Sequence, residues 1–334
     1  MKVETGHPTY KPLYPLQFTP IFKGYIWGGT RMFTNLGKKT NMNPCAESWE
    51  ISCVPDNISV VSNGFLKGKN LQELIEKYMG DLVGDSIYER FGTKFPVLIK
   101  FIDALDDLSI QVHPDDRLAF ERHGSNGKTE MWYVMESGKD SGLIVGFNQK
   151  MDREKYLKAF HEKKLKDILN FEKVAPGDVF FMPAGRIHAI GKDILLAEIQ
   201  QTSDLTYRIY DWERVGADGK PREMHTELAL DAIDYNLYDE YKTQYQKPTQ
   251  GIAQLVKCPY FTTNLICMEQ TMEKDYRNLD SFVVYICTSG ACSIQWNATE
   301  RLNIRKGDTV LLPAVLEKIL IQPSEPAELL EVYL

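Results

Sequence analysis

Histidine is scarce in this chain of 334 residues, with six in all, and the six cysteines contain no CxxC pair and no spacing that reads as a disulfide framework. A stapled extracellular scaffold and a paired-thiolate zinc finger are thereby excluded, and cysteines inside apolar stretches such as FVVYIC read as buried reduced thiols. No apolar run reaches the roughly 18–20 residues of a bilayer span. The N-terminal MKVETGHPTYKPLYPLQF lacks the apolar core of a secretory signal, which predicts a cytoplasmic protein with no membrane partner. Positive charge is not in excess: 39 Lys and Arg stand against 46 Asp and Glu, a net −7. A nucleic-acid footprint is therefore not expected, although a small basic pocket for an anion is compatible with that balance. With 43% hydrophobic residues, 25% charged, 23 Gly and 16 Pro, collagenous and disordered classes are excluded, and the length suggests about two domains.

Strand patterns dominate what is present. PVLIKFIDA (96–104), LSIQVH (108–113), EMWYVM (130–135), GLIVGF (142–147), DVFFMP (178–183) and DILLAEIQ (193–200) are short, β-branched or aromatic, and bounded by turn residues. Helical periodicity is confined to 70–84, 152–169 and 223–235. PGDVFFMPAG (176–185) returns as KGDTVLLPAV (306–315), displaced by 130 residues, and YVMESG (133–138) returns as YICTSG (285–290), displaced by 152. These repeats predict two copies of one β-barrel, the helical insert at 152–169 lying in the first copy only.

Two of the histidines fall where strands would align them with other donors. In LSIQVHPDD the two-residue period puts Ser109, Gln111 and His113 on one face and Val112 on the other. Glu130 opens the next strand and His188 follows the PAG turn. Together Gln111, His113, Glu130 and His188 form a mixed N/O set suited to Zn²⁺ and compatible with Fe²⁺ or Mn²⁺. Taken singly, each histidine reads equally as a turn residue satisfied by a backbone partner. The span from Gly177 to His188, G-x5-P-x-G-x2-H, resembles the second cupin motif, and QVH followed by Glu130 resembles the first with its leading His replaced by Gln. Lys192 stands where the usual Asn of the second motif would be. In the second repeat Val315 and Lys318 replace the Gly and the His, so that barrel is expected to lack ligands.

The ordered set YIWGG (25–29), AESWEIS (46–52), FPVLIKFIDA (95–104), LSIQVHPDD (108–116), GKTEMWYV (127–134), GDVFFMPAGRIHAI (177–190) and AEIQQTSDLTYRIYDW (197–212) resembles type I mannose-6-phosphate isomerases. The resemblance is to their shorter bacterial form, since only 16 residues separate His113 from Glu130 and the chain has no room for the extra helical domain of longer relatives. It implies a mainly β bicupin of two jelly-roll barrels with a few decorating α-helices. Residues 1–240 would form the metal-binding catalytic domain and 241–334 a degenerate barrel without ligands. The implied activity is zinc-dependent interconversion of mannose 6-phosphate and fructose 6-phosphate through a cis-enediol. One Zn²⁺ per chain would sit on Gln111, His113, Glu130 and His188, and the chain would be a monomer or weak homodimer with a phosphosugar as its partner.

By the same resemblance Arg208 and Glu198 lie in the substrate pocket, Arg208 as a fork donor to developing negative charge and Glu198 as proton carrier or orienter. Lys100 and Lys128 would bind the phosphosugar electrostatically, Lys128 within the catalytic group. On the residues alone Arg208 reads as a surface arginine paired with Asp211 or Glu213, Lys100 as an edge-strand lysine reaching water, and Lys128 as a loop charge. Ser109, on the ligand face, is a candidate substrate contact, whereas Trp27, Trp49 and Glu50 are weaker candidates for the pocket wall. A sugar-phosphate-binding module without turnover, or an iron-dependent oxygen chemistry on the same barrel, are the competing readings; the second fits a His-poor ligand set badly.

Overall fold

The computed structural model describes residues 11–215 and 219–334. Eleven strands build the first barrel: β1 (Ile21–Lys23), β2 (Glu47–Ile51), β3 (Val97–Ala104), β4 (Ile110–Val112), β5 (Glu130–Ser137), β6 (Gly142–Phe147), β7 (Leu169–Lys173), β8 (Val179–Met182), β9 (His188–Ile190), β10 (Ile194–Gln201) and β11 (Tyr207–Tyr210). They form a six-stranded sheet ordered β8-β5-β10-β3-β2-β1 facing a five-stranded sheet ordered β7-β6-β9-β4-β11. Nine more build the second: β12 (Gly251–Lys257), β13 (Thr262–Met268), β14 (Met272–Asp275), β15 (Val283–Ser289), β16 (Ala291–Gln295), β17 (Arg301–Arg305), β18 (Thr309–Leu312), β19 (Lys318–Pro323) and β20 (Ala327–Tyr333). Their sheets run β12-β13-β20-β15-β18 and β14-β19-β16-β17, so the two barrels share one strand order.

Alternation along the strands assigns each face. In the six-stranded sheet Ile99, Phe101, Met131, Tyr133, Ala197 and Ile199 point out of the first barrel into a core shared with Leu265, Val284, Ile286, Leu330 and Val332 of the second. The intervening Ile102, Trp132, Val134 and Leu196 line the interior of the first barrel. Strands β3 and β10 are therefore buried on both faces over their whole length, which is why their sequences read as continuous apolar runs. On the opposite wall Ile110, Val112, Ala189, Tyr207 and Ile209 point outward under the helices Arg153–His161 and Thr226–Ala232. Alternation thus leaves Gln111, His188 and Arg208 facing inward.

The repeat is real in three dimensions, with one adjustment. Gly177 and Gly307 adopt the same left-handed φ of 93°, a conformation that suits glycine in this turn. Val134 exchanges backbone bonds with Gly177 and Asp178 (2.8 and 2.9 Å) as Cys287 does with Gly307 and Asp308 (2.8 and 2.9 Å), so β15 answers β5 with a displacement of 153 residues rather than 152. The shared Ser-Gly letters belong to turns of different length, and the hydrogen-bonded strands set the alignment. The chain also ties the barrels together at both ends of its first part. Leu16 pairs with Leu311 of β18, while Tyr241, Lys242 and Tyr245 still bond to Phe147, Asp178 and Gly177 of the first barrel before β12 begins.

Helices form where caps permit. Asn70, Asp115 and Asp152 each accept a bond from the backbone N–H three residues on, starting Leu71–Tyr78, Asp116–His123 and Arg153–His161. The helical pattern at 70–84 breaks at Met79 into Leu71–Tyr78 and Gly80–Val83, followed by a further helix, Asp85–Phe91. The pattern at 152–169 ends at His161 and gives way to a 3₁₀ turn, Leu165–Ile168, that buries Leu165 and Ile168 under the sheet. Five cysteines are buried, Cys258 is partly so, and all six are unpaired. Among the described residues no helix is long and apolar enough to cross a membrane.

The shared core between the barrels generates a direct expectation. Leu330→Ala, at a fully buried position on β20, should lower unfolding stability by about 2–5 kcal/mol in urea titrations. A loss below about 1 kcal/mol would mean that this interface contributes little to the fold.

Candidate metal centre and active site

Register places the functional side chains in two cross-strand rows. On the five-stranded wall, His188 of β9 lies opposite Gln111 of β4, which lies opposite Arg208 of β11. Facing them on the six-stranded wall, Trp49, Lys100, Glu198 and Trp132 are successive partners across β2, β3, β10 and β5. Directly opposed residues project from the same face, so each row presents its side chains to the barrel interior. Lys100 is thus on a central strand and only 6% exposed, so it is not an edge-strand lysine.

His113, Glu130 and His188 are buried together, with one potential ligand atom of each lying within 4.8 Å of the others. His113 Nδ1 lies 2.8 Å from the Leu205 carbonyl and His188 Nδ1 lies 2.8 Å from the Arg186 carbonyl. A carbonyl can only accept, so both rings carry their proton on Nδ1 and expose an Nε2 lone pair. Those lone pairs face the Glu130 carboxylate at 3.6 and 3.4 Å, and the Gln111 side-chain amide lies 3.3 Å from His188 Nε2. Neither Glu130 oxygen has a hydrogen bond, although Lys128 approaches Oε2 at 3.0 Å as an ion pair and His113 Nε2 at 3.2 Å.

Lys128 and the Gln111 amide offset part of this convergence of acceptors in a dry interior, yet both Glu130 oxygens stay without a hydrogen bond. Burial pushes the Glu130 carboxyl up to about 7 against the pull of Lys128. Burial, reinforced by Lys128, holds the imidazoles neutral, with His188 down at about 4 and His113 well below its ordinary value. Neutral imidazoles, a carboxylate and an amide oxygen are the donor forms that a borderline divalent ion takes, so the residues present fit a metal.

The opposite row is an ion-paired lattice. Glu198 Oε2 accepts from Trp132 Nε1 at 2.9 Å, and its Oε1 lies 3.0 Å from Lys100 Nζ. Burial alone would raise this carboxyl, but Lys100 and Lys128 outweigh it and hold Glu198 well below the usual range. Lys100 also approaches Glu47 at 3.9 Å and lies over the Trp49 ring. Three interior carboxylates, Glu47, Glu130 and Glu198, thus share two ammonium groups.

Between the rows lies a cavity of about 390 Å³ lined by Lys100, Ser109, Gln111, Lys128, Glu198 and Arg208, with Trp27 and Trp49 forming part of its wall. Gln111 and all five other candidates therefore line one cavity, and His113, Glu130 and His188 adjoin it through Lys128 and Gln111. Glu50 does not: it is bonded to Lys38 and Ser48 on the other side of β2. Arg208 pairs with neither Asp211 nor Glu213 at ion-pair distance; its Nη1 donates to the Glu223 carbonyl at 2.9 Å and its buried Nε has no partner. The cavity also includes Lys23, Tyr25, Asn57, Asp204, Thr206 and Arg222, which sequence reasoning passed over. Of these, Tyr25 lies inside the quoted YIWGG motif and Asp204 and Thr206 inside AEIQQTSDLTYRIYDW.

Residues 15–140 match the catalytic domain of type I phosphomannose isomerase. Mannose-6-phosphate isomerase ManA of Bacillus subtilis is 38% identical over 254 residues, covering 74% of this chain and 78% of ManA. A crystal structure of the mannose 6-phosphate isomerase from Bacillus subtilis superposes with a TM-score of 0.87 at 30% identity, covering 96% of this chain and all of that one. The fold is also shared with a zinc-bound mannose 6-phosphate isomerase, 17% identical, at a TM-score of 0.77 over 96% of this chain and 99% of the other.

If the converging acceptors exist to hold a divalent ion, Glu130→Gln should weaken metal affinity by about 100-fold or more, read by calorimetry or metal analysis of dialysed protein. Retention of metal by that variant would remove Glu130 from the ligand set.

Proposed function

The chain belongs to the type I phosphomannose isomerase family, and on that premise we propose that it interconverts mannose 6-phosphate and fructose 6-phosphate through a cis-enediol, using one zinc ion held by Gln111, His113, Glu130 and His188. The observation that carries this reading is one cavity lined by Lys100, Gln111, Lys128, Glu198 and Arg208, with the buried His113, Glu130 and His188 cluster adjoining it through Gln111 and Lys128. When bound, a divalent ion supplies Lewis acidity to substrate oxygens.

The chain's own residues account for the remaining needs. Glu198 Oε1 takes the proton from C2 of the open-chain aldose, the C2–H electron pair becomes the C1–C2 double bond, and O1 gains the negative charge. The same carboxyl then returns the proton to C1, while the O2 proton passes to O1. Trp132 and Lys100 fix the orientation of Glu198 and keep it ionised. A sugar hydroxyl that draws a bond from Lys100 raises the basicity of Glu198 at the moment of use. Arg208, one strand from Gln111 and, among the described residues, without a carboxylate at ion-pair distance, is placed to stabilise the enediolate. Lys128 offsets the charge of Glu130, and Ser109 offers a hydroxyl to the sugar.

Purified protein should convert mannose 6-phosphate to fructose 6-phosphate, lose that activity on chelation and regain it with zinc. Turnover in deuterium oxide should place solvent deuterium on carbon, whereas a hydride shift would not. Absence of turnover from a folded, zinc-loaded sample would overturn the reading in favour of a binding role. Arg208→Ala should lower kcat by about 100- to 1,000-fold with zinc content equal to that of the parent. Parallel loss of zinc and activity would make the arginine structural.

A further inference from the structure

The two lysines nearest the chemistry are already matched by carboxylates: Lys100 by Glu198 and Glu47, Lys128 by Glu130. With the zinc of the isomerase reading engaged at C1 and C2, neither lysine is left to seat a phosphate dianion. Two further cationic groups, Lys23 and Arg222, line the cavity, which is bordered by the exposed Tyr25 and Asp204. Among the described residues no carboxylate lies at ion-pair distance from Lys23, whose ammonium bonds to the neutral Asn57 side chain and lies over Trp49 at 4.7 Å. Arg222 is fixed on buried Asp211 through Nε and Nη2, an anchor it shares with Arg214.

Resting on the isomerase reading, we propose that Arg222, with Lys23, is the phosphate seat of this site and sets its preference for phosphorylated over free sugar. Asp211 holds the guanidinium plane in place from one edge and, among the described residues, leaves Nη1 for a ligand in the cavity that Arg222 lines. Rigid anchoring of this kind reduces the ordering cost of binding. Arg208 and Arg222 are close enough that each opposes the other's charge, a repulsion that an arriving dianion relieves. The arrangement divides the labour along the cavity: the buried end handles C1 and C2, and the solvent end handles the phosphate. Arg208 stands between them.

The test uses the zinc-loaded full chain, with mannose 6-phosphate, free mannose and inorganic phosphate as probes. Arg222→Gln should raise KM for mannose 6-phosphate and weaken inorganic phosphate binding, measured by calorimetry, each by about 10- to 100-fold. Its kcat should change by less than about threefold, and the preference for mannose 6-phosphate over mannose should fall through KM. Arg222→Lys should recover part of the phosphate affinity, and Lys23→Met should reproduce the KM effect on a smaller scale, which separates a lost charge from a disturbed loop. Unaltered KM and phosphate affinity in Arg222→Gln, or a loss confined to kcat, would overturn the proposal. If the parent protein does not isomerise mannose 6-phosphate, the isomerase reading fails on that result. The calorimetric comparison of parent and Arg222→Gln with inorganic phosphate still decides the seat.

Discussion

The site depends on antiparallel register, because two rows of inward-facing functional groups are opposed to one another across strand pairs. His188, Gln111 and Arg208 succeed one another on one wall, and Trp49, Lys100, Glu198 and Trp132 on the other. A slip of one residue in any pair would exchange these groups for Ala189, Val112, Phe101 or Ile199 and bury the charges in hydrocarbon. Such a slip is resisted on both walls. One is locked by the helices and the other by the second barrel, so each outward set already has its own apolar partner.

That packing explains how a barrel interior can hold so many ionisable groups. Lys100, Lys128, Glu130, Glu198, His113 and His188 are all buried, and an arrangement of this kind is costly unless each charge has a partner at short range. The ion pairs of Lys100 and Lys128 meet most of that requirement, and Lys128 and the Gln111 amide stand beside the two Nε2 atoms, but both Glu130 oxygens remain without a hydrogen bond. A carboxylate without hydrogen-bond donors beside two neutral imidazoles is the chemical form of a metal site.

The second barrel shows what the same backbone does with other side chains. By strand pairing, Glu331 of β20 occupies the position of Glu198, with Asn264 in place of Lys100 and Tyr285 in place of Trp132. Glu331 is satisfied by Asn264 at 2.8 Å, Lys274 at 2.7 Å and Tyr276 at 2.5 Å, so the corresponding interior is closed by hydrogen bonds. The positions answering His188 and Gln111 carry Lys318 and Asp275, which pair with each other at 3.9 Å. Cation and anion have replaced two neutral donors, and the barrel serves instead as the apolar cover of the catalytic sheet.

Much of the fold was legible in the sequence because strand length, alternation and the repeated Gly-Asp turn are local properties. The six strand patterns around 96–200 lie within two residues of the observed strands, and the candidate ligands share a face because of the two-residue period. Recognition of the ordered motifs supplied Glu198 and Arg208, which in isolation read as a strand-end charge and a surface arginine. Sequence alone did not separate the roles of the charged groups. That Lys100 is central and already paired, that Glu50 faces away, and that Lys23 and Arg222 border the cavity all depend on contacts between segments up to about two hundred residues apart. Periodicity determines which side of its own strand a residue occupies; which charges then meet, and at what distance from water, was decided only when the sheets closed, because burial and Coulomb energy belong to pairs in space.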